Sequence, residues 1–243
     1  MNSETNIEIN SEINTSISGP KGGIVGALVR KDWALNKQNF WLFSILGLLS
    51  VSIFLIESTK AFYLAMTLIL CVVILIGALL VFSSVVNEHK DKTLPFIMSL
   101  PVTCMDYTKG KLIFNLGAYS VAWGVLTAAT LAVIAFKSHL SNGLMPIALI
   151  VLIQLFVSFL LVLGTSLVTG SEKWTIVVTT FTNISVSLFM FWVGSFDGIY
   201  EHLNGGVAVW NSTVMTVIAV EVTLALFLVA GTFYLQSRKK DFI

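Results

Sequence analysis

A single carboxylate, Glu221, stands in the middle of an otherwise uncharged run, 212–235. In hydrocarbon an unpaired carboxylate costs on the order of 3 kcal/mol or more, so such a group is protonated, paired or turned towards a wet cavity. No Lys or Arg stands at comparable depth in any other apolar run, which leaves Gln154, Asn183 and the Ser and Thr hydroxyls as hydrogen-bond partners. Two readings stay open for Glu221: a pathway-lining or proton-sensitive group, and a satisfied polar contact between helices or subunits. Catalytic constellations are harder to find. His89, His139 and His202 are scattered over polar segments and no H-E-x-x-H occurs, which argues against an intramembrane zinc protease. Gly164-Thr165-Ser166 lies in an apolar run without a histidine beside it, and the pair Cys71 and Cys104 suggests neither a disulfide framework nor a zinc site. There is no G-x-x-x-x-G-K-[ST] phosphate loop and no paired acid and base in the apolar runs, so the chain itself reads as a non-enzyme without cofactor or metal.

A second concentration of chemistry is the stretch EHKDKTLPFIMSLPVTCMDYTKGKL, 88–112, which holds two of the four prolines and a dense block of charge. Its place follows from the elements around it. The chain has 243 residues, 56% hydrophobic and 11% charged, against roughly a quarter charged in a soluble domain. Too few polar residues remain to cover a soluble surface, and the chain reads as an all-α integral membrane protein. A helix needs about 20 mostly apolar residues to cross the bilayer. Uncharged runs at 40–56, 61–86, 112–136, 144–168, 174–193 and 212–235 predict six transmembrane helices. They are continuously apolar rather than alternating, which argues against a barrel.

Lys and Arg orient these spans. Twelve of the 14 basic residues fall before the first span, between the second and third, between the fourth and fifth, or after the sixth; only Lys60 and Lys137 fall on the other side. By the positive-inside rule both termini are cytoplasmic. Trp41 and Trp174 then fall near cytoplasmic ends, Tyr63, Trp192 and Trp210 near external ends, and Trp123 in mid-span as a packing residue. Residues 1–22, polar and acidic, predict a disordered cytoplasmic tail rather than a cleavable signal peptide. In 23–38, Ile24, Val25, Leu28, Val29, Trp33 and Leu35 share one half of a helix, with Arg30, Lys31, Lys37 and Gln38 on the other. This predicts an N-terminal amphipathic interfacial helix, although Asp32 and Asn36 intrude on its apolar half. The last external segment, 194–211, carries Asp197, Glu201 and His202 and is open to a short re-entrant or external helix, a flap or a solvated loop.

Within 88–112, Asp91 or Thr93 can cap a helix whose first turn accommodates Pro95, and Pro101 should stop it. The result is a helix of about two turns carrying Leu94, Phe96, Ile97, Met98 and Leu100. Thr103-x-x-Asp106 then matches a capping box and should start the helix that runs through Tyr107 and Lys111 into the third span. A short apolar helix on the cytoplasmic side must cover its face with the bilayer surface or with a groove on a partner.

Glu88, Thr93-Leu94, Ser99-Leu100-Pro101-Val102-Thr103, Tyr107 and Gly110-Lys111-Leu112 together resemble the segment after the second span of type-2 ABC exporter permeases. The basic-then-Asp-Phe ending LQSRKKDFI is similar to that of bacterial members. Lys92, Pro95, Cys104 and Met105 depart from the usual run. The resemblance implies a cytoplasmic coupling helix between the second and third spans, with Glu88, Thr93, Leu94, Pro95, Phe96, Ile97, Met98, Ser99, Leu100 and Pro101 as the ATPase-coupling residues. It further implies a second permease subunit, most simply a homodimer, and a separate ABC ATPase subunit that binds ATP and Mg. The protein would then sit in a bacterial cytoplasmic (inner) membrane, in contact with lipid and not with nucleic acid, exporting a peptide, lipid or hydrophobic drug. The competing reading is a membrane scaffold or maturation subunit that recruits a soluble partner and moves no substrate.

Overall fold

The computed structural model describes residues 23–90, 103–136, 141–203 and 205–238. Among them every regular element is helical, and six helices are long and apolar enough to cross a membrane. They are α1 (Gly23–Ser52), α2 (Thr59–Val81), α3 (Cys104–Phe136), α4 (Leu144–Thr169), α5 (Glu172–Gly194) and α6 (Ser212–Ser237). A 3-10 turn, Ile53–Leu55, follows α1, and α2 continues through a π turn, Phe82–Val86, into a last helical turn, Asn87–Lys90.

Local chemistry sets several of these ends. Thr103 and Asp106 close the predicted capping box: the Asp106 amide donates to Thr103 Oγ1 at 3.1 Å, and that hydroxyl donates to Asp106 Oδ2 at 2.6 Å. Asn211 caps α6, its Oδ1 accepting from the Val214 amide at 3.0 Å. Pro146 lies in the first turn of α4, where a missing N–H leaves no helical carbonyl unsatisfied. Gly170 ends that helix in the left-handed region at φ 60°, donating to the Ser166 carbonyl at 3.0 Å.

No break separates residues 23–38 from the first span. The stretch expected as a distinct interfacial helix and the apolar run after it form one helix of 30 residues. Nothing between Leu28 and Leu46 is proline or glycine, so no local signal stops the helix. The stripe of 23–40 that packs inward is Leu28, Asp32, Asn36 and Phe40, while Leu35, counted on the apolar half, is exposed. The two polar residues that intrude on the apolar half are therefore on the packed side.

One core runs through the bundle from Phe40 and Val51 on α1 past Val73 and Leu80 on α2 to Tyr119 and Leu126 on α3 and Leu155 and Leu163 on α4. Tyr119 stacks closely on Phe159, with ring centroids 3.8 Å apart and the ring planes 15° from parallel. Trp123 packs against Phe156 and its indole N–H donates to the Leu152 carbonyl at 2.7 Å. The belt residues Trp41, Tyr63, Trp174, Trp192 and Trp210 are all exposed. α5 and α6 bury the smallest share of their surface, packing chiefly on α4.

The segment between α5 and α6 holds one short helix, Asp197–Tyr200, whose Ile199 is buried against Ile150, Val193 and Val214. Asn211 Nδ2 donates to the Gly198 carbonyl, and the Gly143 amide donates to the Gly205 carbonyl at 3.0 Å. Ser141 Oγ lies within hydrogen-bond distance of the Leu203 and Gly205 carbonyls, at 2.8 and 2.5 Å. This end of the bundle is tied across from the start of α4 to the approach to α6.

Candidate functional site

The ends of α2 and α3 that flank residues 91–102 meet α1 in a buried polar column. Each helix contributes residues spaced by four: Asp32 and Asn36 from α1, Ser84 and Glu88 from the end of α2, and Tyr107, Lys111 and Asn115 from α3. Side chains four apart lie one above the other on a helix, so each set forms a short polar stripe. Lys111 has no exposed surface, and its ammonium donates to Asp32 Oδ2 and Oδ1 at 2.8 and 3.0 Å. It also lies 2.8 Å from Glu88 Oε1. Lys31 completes the ring, donating to Glu88 Oε1 and lying 3.5 Å from Asp32. Tyr107 donates its hydroxyl to Glu88 Oε2 at 3.0 Å. Two carboxylates and two ammonium groups give a cluster with no formal net charge.

One turn deeper, Asn115 Nδ2 donates to the Lys111 carbonyl and to Ser84 Oγ, each at 2.8 Å. The Ser84 hydroxyl reaches back to the Leu80 carbonyl at 2.6 Å. The π turn 82–86 contains Ser84, and its extra residue rotates the end of α2 relative to the rest of that helix. That rotation brings Ser84, Val85, Val86 and Glu88 to the buried side together. α1 and α3 come close enough for the Lys111–Asp32 pair because Gly110 has no side chain. A Cβ there would lie 3.1 Å from Leu28 Cβ.

Electrostatically the charges of the cluster oppose one another pairwise. Burial raises the Glu88 carboxyl, but the charge of Lys111 and the hydrogen bonds from Lys111 and Lys31 outweigh it and hold it below the usual glutamate range. Charged groups this deep are stable only while each keeps its partners. Both carboxylates are engaged by ammonium groups, and among the described residues no group of three or more His, Cys, Asp and Glu could hold a metal ion. What the cluster does is fasten three helix ends together. The Tyr107–Glu88 and Lys111–Glu88 contacts close the base of the 91–102 segment, and Asp32 with Lys31 ties that base to α1.

A family model described as ABC-2 family transporter protein matches residues 27–235. The chain belongs to that family. It is a multi-pass membrane component of a transporter, a permease of the ABC-2 type, and such permeases work in general with an ABC ATPase. Neither the curated proteins nor the solved structures yielded a match.

In this ABC-2 permease the sequence-predicted site residues fall in different places. Glu88 is in the cluster. Thr93, Leu94, Pro95, Phe96, Ile97, Met98, Ser99, Leu100 and Pro101 lie outside the described residues. Glu221 is buried in α6, and neither of its carboxylate oxygens has a hydrogen-bond partner among the described residues. Gln154 and Asn183, its candidate partners, make no hydrogen bond with it; Gln154 is half-buried on α4 and Asn183 is exposed on α5. Sequence reasoning missed Asp32, Lys111 and Tyr107 as members of one site with Glu88. The signal was present as the intrusion of Asp32 and Asn36 on an apolar face, but Lys111, which pairs with Asp32, lies 79 positions further on.

Proposed function

We propose that this ABC-2 permease is the membrane subunit of an exporter that forms the substrate pathway as a homodimer and is driven by separate cytoplasmic ATPase subunits. On this reading both termini and the 91–102 segment face the cytoplasm of a bacterial cell, and ATP and Mg are bound by the partner. The basic residues concentrated at that end support the orientation. The apolar residues Leu94, Phe96, Ile97, Met98 and Leu100 form the docking element for the ATPase.

The observation that carries the proposal is the buried ion cluster at the base of that segment. Glu88 and Lys111, on either side of it, are held to each other and to Asp32 of α1. A displacement of the docking element therefore acts on α1, α2 and α3 as a unit, rather than bending a loose loop. The energy of nucleotide-driven ATPase closure reaches the spans through this base. α5 supports a pathway between two copies. Thr180, Asn183 and Ser187 are exposed on this span at positions that share one face, and an amide such as that of Asn183 is unfavourable against lipid. A second copy across a wet cavity would satisfy them.

The reading is tested by co-expressing the permease with candidate ABC ATPase subunits. The two should purify together, and Phe96→Glu or Met98→Glu should abolish the association. Unchanged association and unchanged ATPase rate in those variants would remove the docking role.

A further inference from the structure

The six spans are not tied into the bundle alike. α1, α2 and α3 share the buried ion cluster. Trp123 of α3 bonds to the Leu152 carbonyl of α4, and Gln236 of α6 donates to the Leu167 carbonyl of α4 at 2.9 Å. α5 differs. Its hydroxyls at Thr175, Thr179, Thr180 and Thr182 all donate to carbonyls three or four residues back, so they are satisfied along the helix rather than across to a neighbour. Among the described residues one polar side-chain contact joins α5 to another helix: Lys90 Nζ, at the end of α2, donates to Glu172 Oε1 at 3.1 Å. Further along, the seam between the two helices is incompletely filled. A cavity of about 30 Å³, enough for a water molecule, has Ile74, Gly77 and Ala78 of α2 and Thr179, Thr182 and Asn183 of α5 among its walls.

We propose that the Lys90–Glu172 pair is a latch. Closed, it holds the start of α5 against the end of α2; opened by a displacement of the 91–102 segment, it frees α5 to swing on α4. The placement suits this role. Lys90 ends the last turn before that segment and moves with its base, while Glu172 stands in the first turn of α5. The strength suits it too. The Lys90 and Glu172 side chains are 59% and 40% exposed, and an exposed pair is weak enough to open and re-form. Lys111, buried between two carboxylates, has no such freedom. Release costs Glu172 little, because a carboxylate in the first turn keeps the favourable field of its own helix. Apolar packing on α4 then remains as the pivot. As a gate on the pathway, the latch rests on the exporter reading above; as a switch in the position of α5 it stands without it.

The test uses the purified full-length permease in lipid nanodiscs, without its ATPase and with Cys71 and Cys104 replaced. A trifluoromethyl label on Asn183→Cys, at the exposed edge of the seam cavity, lets fluorine NMR read the ratio of released to seated α5. Raising the salt from about 50 to about 500 mM screens an exposed pair. The ratio should then rise about two- to fivefold, the range such a pair supplies. Lys90→Glu should raise it at least as much at low salt, and there added salt should lower it, because what is screened is a repulsion. Adding Glu172→Lys to Lys90→Glu should return the ratio most of the way to its starting value. A ratio that ignores salt in the chain with both native charges overturns the proposal, and this arm needs no charge variant to fold. A swapped pair that stays at the Lys90→Glu value also overturns it. With the ATPase present, ATP and vanadate should raise the ratio in the chain with the pair and add nothing in Lys90→Glu. A missing nucleotide response with the charge arms intact counts against the exporter reading and not against the latch.

Discussion

Lys111 carries the largest single consequence at the scale of the residue. Its ammonium is fully buried between Asp32 and Glu88, so Lys111→Met leaves two carboxylates with only the part-exposed Lys31 beside them. Removing one partner of a buried pair costs about 3–5 kcal/mol, and detergent-solubilised Lys111→Met should lose stability of that order in a denaturant titration. Replacing the cluster together, Asp32→Asn with Glu88→Gln and Lys111→Met, should be less damaging than Lys111→Met alone, because no charge is then stranded. A triple variant less stable than the single one would contradict the buried-pair account. The acid limit follows from Glu88. Its carboxyl is held below the ordinary glutamate value in the folded chain, so ionised Glu88 contributes stability at pH values above that ordinary value, about 4.3. That contribution is lost as the pH falls through the lowered value. Glu88→Gln should therefore flatten the acid side of the stability profile, below the ordinary glutamate value, measured against the native chain.

At the scale of the element, the cluster depends on two departures from a regular helix bundle. The π turn 82–86 re-aims the end of α2, and Gly110 lets α3 approach α1. Gly110→Val should push Leu28 away, lengthen the Lys111–Asp32 contact and destabilise the protein by about 1–3 kcal/mol, as overpacking does. The same substitution at Gly117, where a Cβ meets nothing, should be nearly neutral. The helices themselves were legible in the sequence, because long uncharged runs leave no alternative that satisfies the backbone in a membrane. The capping box at Thr103 and Asp106 and the packing role of Trp123 were legible too, each depending on a few adjacent residues or on depth in one span. The course of α1 was less so. Its helical wheel set Lys31 on the polar half and could not reveal that Lys31 and Asp32 both meet the ends of other helices. The π turn leaves only a Ser83-Ser84 pair as a trace, since its phase shift is fixed by the partner stripe on α3. Pairing of Asp32 with Lys111 is a tertiary fact, set by which helices meet.

For the whole molecule, the two ends of the bundle are tied differently. The end bearing Asn211 and Ser141 is closed by short neutral hydrogen bonds to carbonyls, while the end bearing residues 91–102 is closed by buried charge. Neutral bonds of the first kind contribute about 1 kcal/mol each, whereas breaking the second kind strands ions. The asymmetry fits a subunit that receives force at one end and yields at the other. The direct measurement is the distance between spin labels at Ser195, exposed at the end of α5, in paired subunits. The chain carries replacements of Cys71 and Cys104 and is assembled with its ATPase. Trapping the ATPase with ATP and vanadate should shift that distance in the native background. In Glu88→Gln the ATPase should remain bound and active while the shift is lost. A shift of the same size in Glu88→Gln, or no nucleotide-dependent shift in the native chain, would contradict transmission through the buried ion cluster.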